Sequence, residues 1–222
     1  MSSPPPAASR FSPDCRLCPR LARFLDEVRA AHPEYHARPV APFGDDRPHL
    51  LIVGLAPGMH GANRTGRPFT GDHAGILLYR TLYRYGFASS PESVSAKDGL
   101  RLKNCRITNA VKCLPPANKP LPAETRQCNG YLARELGNLQ HGAVVLALGT
   151  VAHQAVLMAL GLKPKGFRFA HGTVHALPPG ELTLYDSYHC SRYNTQTKRL
   201  TDRMFEEVVA AIASRLVIPC QE

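Results

Sequence analysis

The chain has 222 residues, 44% hydrophobic and 20% charged, enough for one sizeable α/β core and too few for a string of domains. Lys and Arg (27) outnumber Asp and Glu (17), and the net charge of +10 favours a polyanionic partner such as nucleic acid over an anionic membrane surface. Met1–Arg10 lacks the apolar segment of a secretory signal. Gly149, Thr150, His153 and Gln154 interrupt the most apolar stretch, Ala143–Leu160, so the sequence argues against secretion and membrane insertion and a cytoplasmic protein is expected.

Residues 1–10 read as a disordered tail and residues 11–222 as one domain. Leu21, Phe24, Leu25 and Val28 recur at helical spacing and predict a helix over Leu17–Ala31, opening at Cys15-Arg16-Leu17-Cys18. After a proline-rich loop (32–48), His49–Val53 reads as a buried parallel strand. The glycine-rich loop Gly54–Gly71 leads to a helix from Asp72 to Tyr85. Arg106–Val111 is a second strand, residues 114–122 a loop with four prolines, and Glu124–Leu139 a helix. Ala143–Leu148 is a third strand, followed by the helix Val151–Leu160. Leu182–Tyr185 is a fourth strand, Asp186–Thr195 a loop, and Lys198–Leu216 the last helix. This alternation predicts a three-layer αβα sandwich around a central, mostly parallel four-stranded sheet. Ligands of such sheets bind at the C-terminal strand ends, where the loops 54–71, 109–122 and 186–195 emerge.

Seven cysteines, an odd number, argue against a complete disulfide framework. Cys15 and Cys18 form one pair, and Cys113 and Cys128 a second, separated by fourteen residues. Four thiolates from two such pairs suit zinc or an iron–sulfur cluster, and spacing does not separate the two. The first loop contains neither GxxxxGK[ST] nor GxGxxG, which weakens readings as a nucleotide-phosphate enzyme. It does hold one aromatic, Phe69, and one carboxylate, Asp72, which is placed equally well to cap the next helix or to do chemistry. In the third loop His189, Ser191, Arg192, Tyr193 and Asn194 suit contact with an anionic backbone and a planar base.

These residues carry a specific resemblance. Gly54-Leu-Ala-Pro-Gly58 with Gly66-Arg-Pro-Phe-Thr-Gly-Asp72 resembles motif 1 of the uracil-DNA glycosylase superfamily, and Ser187-Tyr-His-Cys-Ser191 with Asn194-Thr-Gln-Thr-Lys-Arg-Leu200 resembles motif 2. Ile107-Thr-Asn-Ala-Val-Lys-Cys-Leu-Pro-Pro116 is similar to the segment that joins pocket and cluster in iron–sulfur members, and His60–Asp72 resembles the mark of the type 5 subgroup. The resemblance spans Cys15 to about Phe205. It implies DNA bearing uracil or other deaminated bases as partner, a monomer, and a [4Fe-4S] cluster on Cys15, Cys18, Cys113 and Cys128. It further implies His189 and Asp72 as catalytic groups, Phe69 as the stacking aromatic, and Gly54, Ala56, Pro57, Gly58, Asn109, Ser191, Arg192, Tyr193 and Asn194 as substrate-binding positions. Asn109 departs from the small apolar residue often found there in the subgroup, and Lys198 stands where glycine is expected. The competing readings are a non-catalytic iron–sulfur or zinc protein that binds nucleic acid, and an α/β enzyme on nucleotides.

Overall fold

The computed structural model describes residues 10–178 and 182–217. The predicted tail therefore lies outside the described residues apart from Arg10. In chain order the elements are α1 (Pro19–Ala31), β1 (Phe43–Gly44), β2 (Leu50–Gly54), α2 (Ala62–Thr65), α3 (His73–Arg84), β3 (Cys105–Asn109), α4 (Pro122–Gly137), β4 (Val144–Leu148), α5 (Thr150–Ala159), β5 (Val174–Leu177), β6 (Leu182–Ser187), α6 (Arg192–Gln196) and α7 (Asp202–Arg215). The sheet order is β1-β3-β2-β4-β6-β5. Its four inner strands are parallel and both edge strands antiparallel.

Strand alternation sorts the core into two layers. Leu50 and Ile52 of β2, with Val144, Leu146 and Leu148 of β4, face α3 and α7. Leu51 and Val53, with Val145 and Ala147, face α4 and α5. A third cluster packs α1 against Val111, Leu114 and Tyr131, beyond the end of β3. Burying β2 and β4 on both faces is what their unbroken apolar runs require.

The four predicted strands form the parallel centre, but the sheet has six strands rather than four. β1 spans two residues within a proline-rich stretch, and the half-exposed β5, Val-His-Ala-Leu, has no clear apolar alternation. The first loop also contains the single-turn α2, and the predicted 186–195 loop is mostly structured. Asp186 and Ser187 complete β6, and Arg192–Gln196 forms α6 behind the Ser191 N-cap. The last helix starts at Asp202 rather than Lys198 because Lys198 is left-handed (φ 57°) and Thr201 caps the first turn by accepting from Met204 N.

Candidate active site

Parallel register brings the chemistry-bearing residues together. Gly54 at the end of β2 pairs with Asn109 at the end of β3, and Leu148 of β4 pairs with Ser187 of β6. The loops leaving these ends enclose a pocket of about 490 Å³ lined by Ala56, Gly58, Phe69, Asp72, Asn109 and His189, among others. Gly54 sits behind Asn109 and Phe69, and nothing larger fits there. A Cβ there would lie 2.4 Å from Asn109 Oδ1 and 2.7 Å from Phe69 Cζ. Asn109 is 4% exposed, and its Oδ1 is buried without a hydrogen-bond partner. Phe69 and His189 lie near-parallel, ring centroids 5.6 Å apart at 28°.

Phe69 is itself left-handed (φ 53°), a conformation unfavourable for a bulky residue and held only by its surroundings. The brace is Arg67. It binds Asp98 through both terminal nitrogens (2.9 and 2.5 Å), donates from Nε to Thr70 Oγ1 and lies over the Phe43 ring. Tyr79 Oη donates to Pro68 O at 2.7 Å from α3. Sequence reading missed Arg67, because a buried arginine inside a loop looks like any other basic residue.

Asp72 is the N-cap weighed from sequence and also stands in the pocket wall. Its Oδ1 accepts from Gly75 N at 2.9 Å as the N-cap of α3, while the residue also lines the pocket. Oδ2 lies so close to Gly61 that a Cβ there would approach to 2.4 Å. Burial raises the Asp72 pKa above the ordinary carboxylate range, partly offset by the amides of Gly75 and Ala74 and by His73. Burial lowers the His189 pKa to about 4, so the imidazole is neutral at pH 7.

The remaining predicted positions divide. Ala56, Gly58, Ser191 and Arg192 line the pocket. Gly54, Pro57, Tyr193 and Asn194 do not: Asn194 Nδ2 donates to His189 O at 2.8 Å and braces that loop, and Tyr193 is 69% exposed. Lys198 is left-handed (φ 57°), the conformation that favours the glycine expected there. His73 and Asn118 are among the lining residues that escaped the sequence reading. His73 joins the pocket walls by an Nε2–Thr195 Oγ1 contact of 2.9 Å. Asn118, left-handed at φ 55°, stands where the pocket meets a wider groove of about 1060 Å³. The Pro-Pro-Ala-Asn turn was the available signal, since Asn tolerates that conformation.

Cys15, Cys18, Cys113 and Cys128 surround a separate cavity of about 20 Å³, backed by Leu21, Val111 and Tyr131. Lys112 N donates to Cys128 Sγ at 3.3 Å. Burial, followed by the charges of the other three cysteines, raises the Cys113 thiol; burial also raises Cys128, to about 11. Beside them Lys112 is buried and its Nζ meets Glu135 Oε1 at 2.6 Å, tying the segment after β3 to α4. The four sulfurs are not drawn in as the ligands of one ion would be. Among the described residues, the only group of His, Cys, Asp or Glu with ligand atoms all within 4.8 Å is His153, His175 and Asp186.

The chain belongs to the Uracil DNA glycosylase superfamily, whose family model matches residues 41–213. Among relatives, it is 50% identical over 200 residues to a protein of Thermus thermophilus named type-5 uracil-DNA glycosylase, covering 88% of this chain and 90% of the relative. A protein of the same name from Mycobacterium bovis is 45% identical over 203 residues (87% and 75% covered), and one from Pyrobaculum aerophilum 40% over 205 residues (90% and 88%). Among the described residues no helix is long and apolar enough to cross a membrane.

Proposed function

We infer that this chain excises uracil from DNA by hydrolysing the N-glycosidic bond, leaving an abasic site, and acts as a cytoplasmic, single-domain monomer. The observation that carries the base assignment is the Asn109 amide in the pocket lining, whose buried Oδ1 has no hydrogen-bond partner of its own. A buried acceptor without a donor costs about 1–3 kcal/mol, and uracil N3–H supplies the donor while the Asn109 amide nitrogen donates to O4. Phe69 offers its ring face to the base. Flipping the nucleotide from the duplex costs roughly a few kcal/mol, least for a mispaired base. The wider groove, which shares Asp72, His73, Asn118 and Arg192 with the pocket, supports a track for the strand on either side.

Bond cleavage leaves negative charge on the base and positive charge on the sugar. Neutral His189 donates to the developing anion at O2 and, with a pKa near 4, remains a hydrogen-bond donor without needing to be charged. Asp72 Oδ2 faces the developing sugar cation and orients the attacking water. The bond from Gly75 N to Oδ1 holds the carboxylate in place for this role.

Cys15, Cys18, Cys113 and Cys128 suit a [4Fe-4S] cluster. Their thiols converge on one cavity, and Cys128 accepts a backbone N–H. When bound, the cluster supplies a four-point cross-link between α1, the segment after β3, and α4. The test is a labelled duplex with one uracil, incubated with the protein and treated with alkali. Scission at the uracil is expected; an intact strand overturns the glycosylase reading in favour of a non-catalytic nucleic-acid-binding protein.

A further inference from the structure

We propose that His153, His175 and Asp186 form a second metal site, apart from the cysteines and the base pocket, that takes one divalent ion of the zinc class. The three come from separate elements: His153 from α5, His175 from edge strand β5 and Asp186 from β6. His153 Nδ1 lies 2.8 Å from Asp186 Oδ1, His175 Nε2 lies 3.2 Å from Oδ2, and the ligand atoms all fall within 4.8 Å of one another. Two imidazoles and a carboxylate are a donor set that suits zinc, at about 2.0–2.2 Å per bond.

Three further observations favour an ion over a simple hydrogen-bonded cluster. Asp186 is 0% exposed, and among the described residues its two side-chain oxygens meet only the histidine rings, so its charge needs a cation at that point. His153 Nε2 faces the Phe167 carbonyl at 2.9 Å and donates to it. That places the ring's one neutral-state proton on Nε2 and leaves the Nδ1 lone pair aimed at the carboxylate, the outer hydrogen bond usual for a metal-bound histidine. A proton added at Nδ1 would bridge two of the three ligand atoms, whereas a divalent ion engages all three. Phe167 and Phe169 pack against the two histidines and shield the site.

The site would staple the edge of the sheet to α5. Asp186 lies three residues before His189, and α5 begins at the pocket-lining Gly149–Val151 turn, so the ion would fix the back of the wall that carries His189. Its role is structural, since none of the three ligands lines the pocket.

The test measures zinc and iron together by mass spectrometry in the intact protein, after dialysis against zinc chloride and then against buffer with a weak chelator. Wild type is expected to retain about one equivalent of zinc. His175→Ala is expected to lose tenfold or more of that zinc while its iron content stays the same. Wild type holding no more zinc than His175→Ala overturns the site and leaves a proton-bridged triad. Should the alanine variant lose iron, signalling a disturbed fold, His175→Gln gives the same comparison with a polar side chain kept toward Asp186. Equal zinc in wild type and in a folded glutamine variant likewise overturns the proposal.

Discussion

Asp72 is the residue on which the proposed chemistry and the local fold meet, and one substitution separates them. Asn caps a helix about as well as Asp, so Asp72→Asn should preserve α3. Because burial raises the pKa, the folded state favours the protonated carboxyl. Its contribution to stability is present at low pH and lost as pH rises through the folded pKa, so the ionised group is a cost at neutral pH. We therefore expect Asp72→Asn to melt at the same temperature or slightly higher while single-turnover excision falls by about 10²–10³. Wild-type excision should also weaken with falling pH, starting above the ordinary carboxylate value of about 4, and the variant's residual rate should lack that limb. An unchanged rate would leave His189 and the loop amides as the main chemistry. Asn109→Ala should cost uracil excision about 1–3 kcal/mol in transition-state stabilisation and affect other bases less. A lesion panel with equal losses would remove Asn109 from recognition.

At the scale of elements, the loop from Gly66 to Asp72 works because Arg67 holds it. Burial opposes the ionised Asp98, but Arg67 and the amides of Leu100, Ser95 and Val94 outweigh it and keep its carboxyl well below the usual range. The stability this carries is therefore present above the unfolded pKa near 4 and lost as pH falls toward the folded value. Asp98→Asn strands the Arg67 charge and should destabilise by about 3–5 kcal/mol, with a shallower acid limb in melting temperature against pH. A loss within 0.5 kcal/mol would show that the loop holds itself. This network also marks the limit of sequence reading. The inner strands and the pocket motifs were legible because apolar runs and a glycine-rich strand exit have local signatures. Arg67–Asp98, His73–Thr195 and Lys112–Glu135 join residues 31, 122 and 23 positions apart, and no local pattern announces such pairs. The edge strands were missed for a related reason, since β1 and β5 owe their form to the strands beside them.

Across the whole molecule, the cysteine cavity is the junction between α1 and the sheet. Cys113→Ser or Cys128→Ser should abolish absorbance near 400 nm and lower thermal stability, because the ligands come from segments distant in the chain. A variant that stays brown and melts like wild type would rule out the ligand set. The convergence of the four thiols was foreshadowed by their paired spacing. Their wider arrangement, and the separate His153, His175 and Asp186 group, were not, because Asp186 read as loop and His175 had no predicted element to sit on.

The pairing of Gly54 with Asn109 has one more consequence. Side chains in a strand alternate faces, so β2 and β3 can align in this way or slip by a whole residue, with nothing between. A slip of one would set Val53 beside Asn109, or Thr108 beside Gly54, and the pocket would lose either its clearance or its amide. With Asn109 reading the base as proposed, recognition would be digital. Changes that loosen the sheet should divide molecules into fully active and inactive populations, while graded shifts in base preference must come from the loops above.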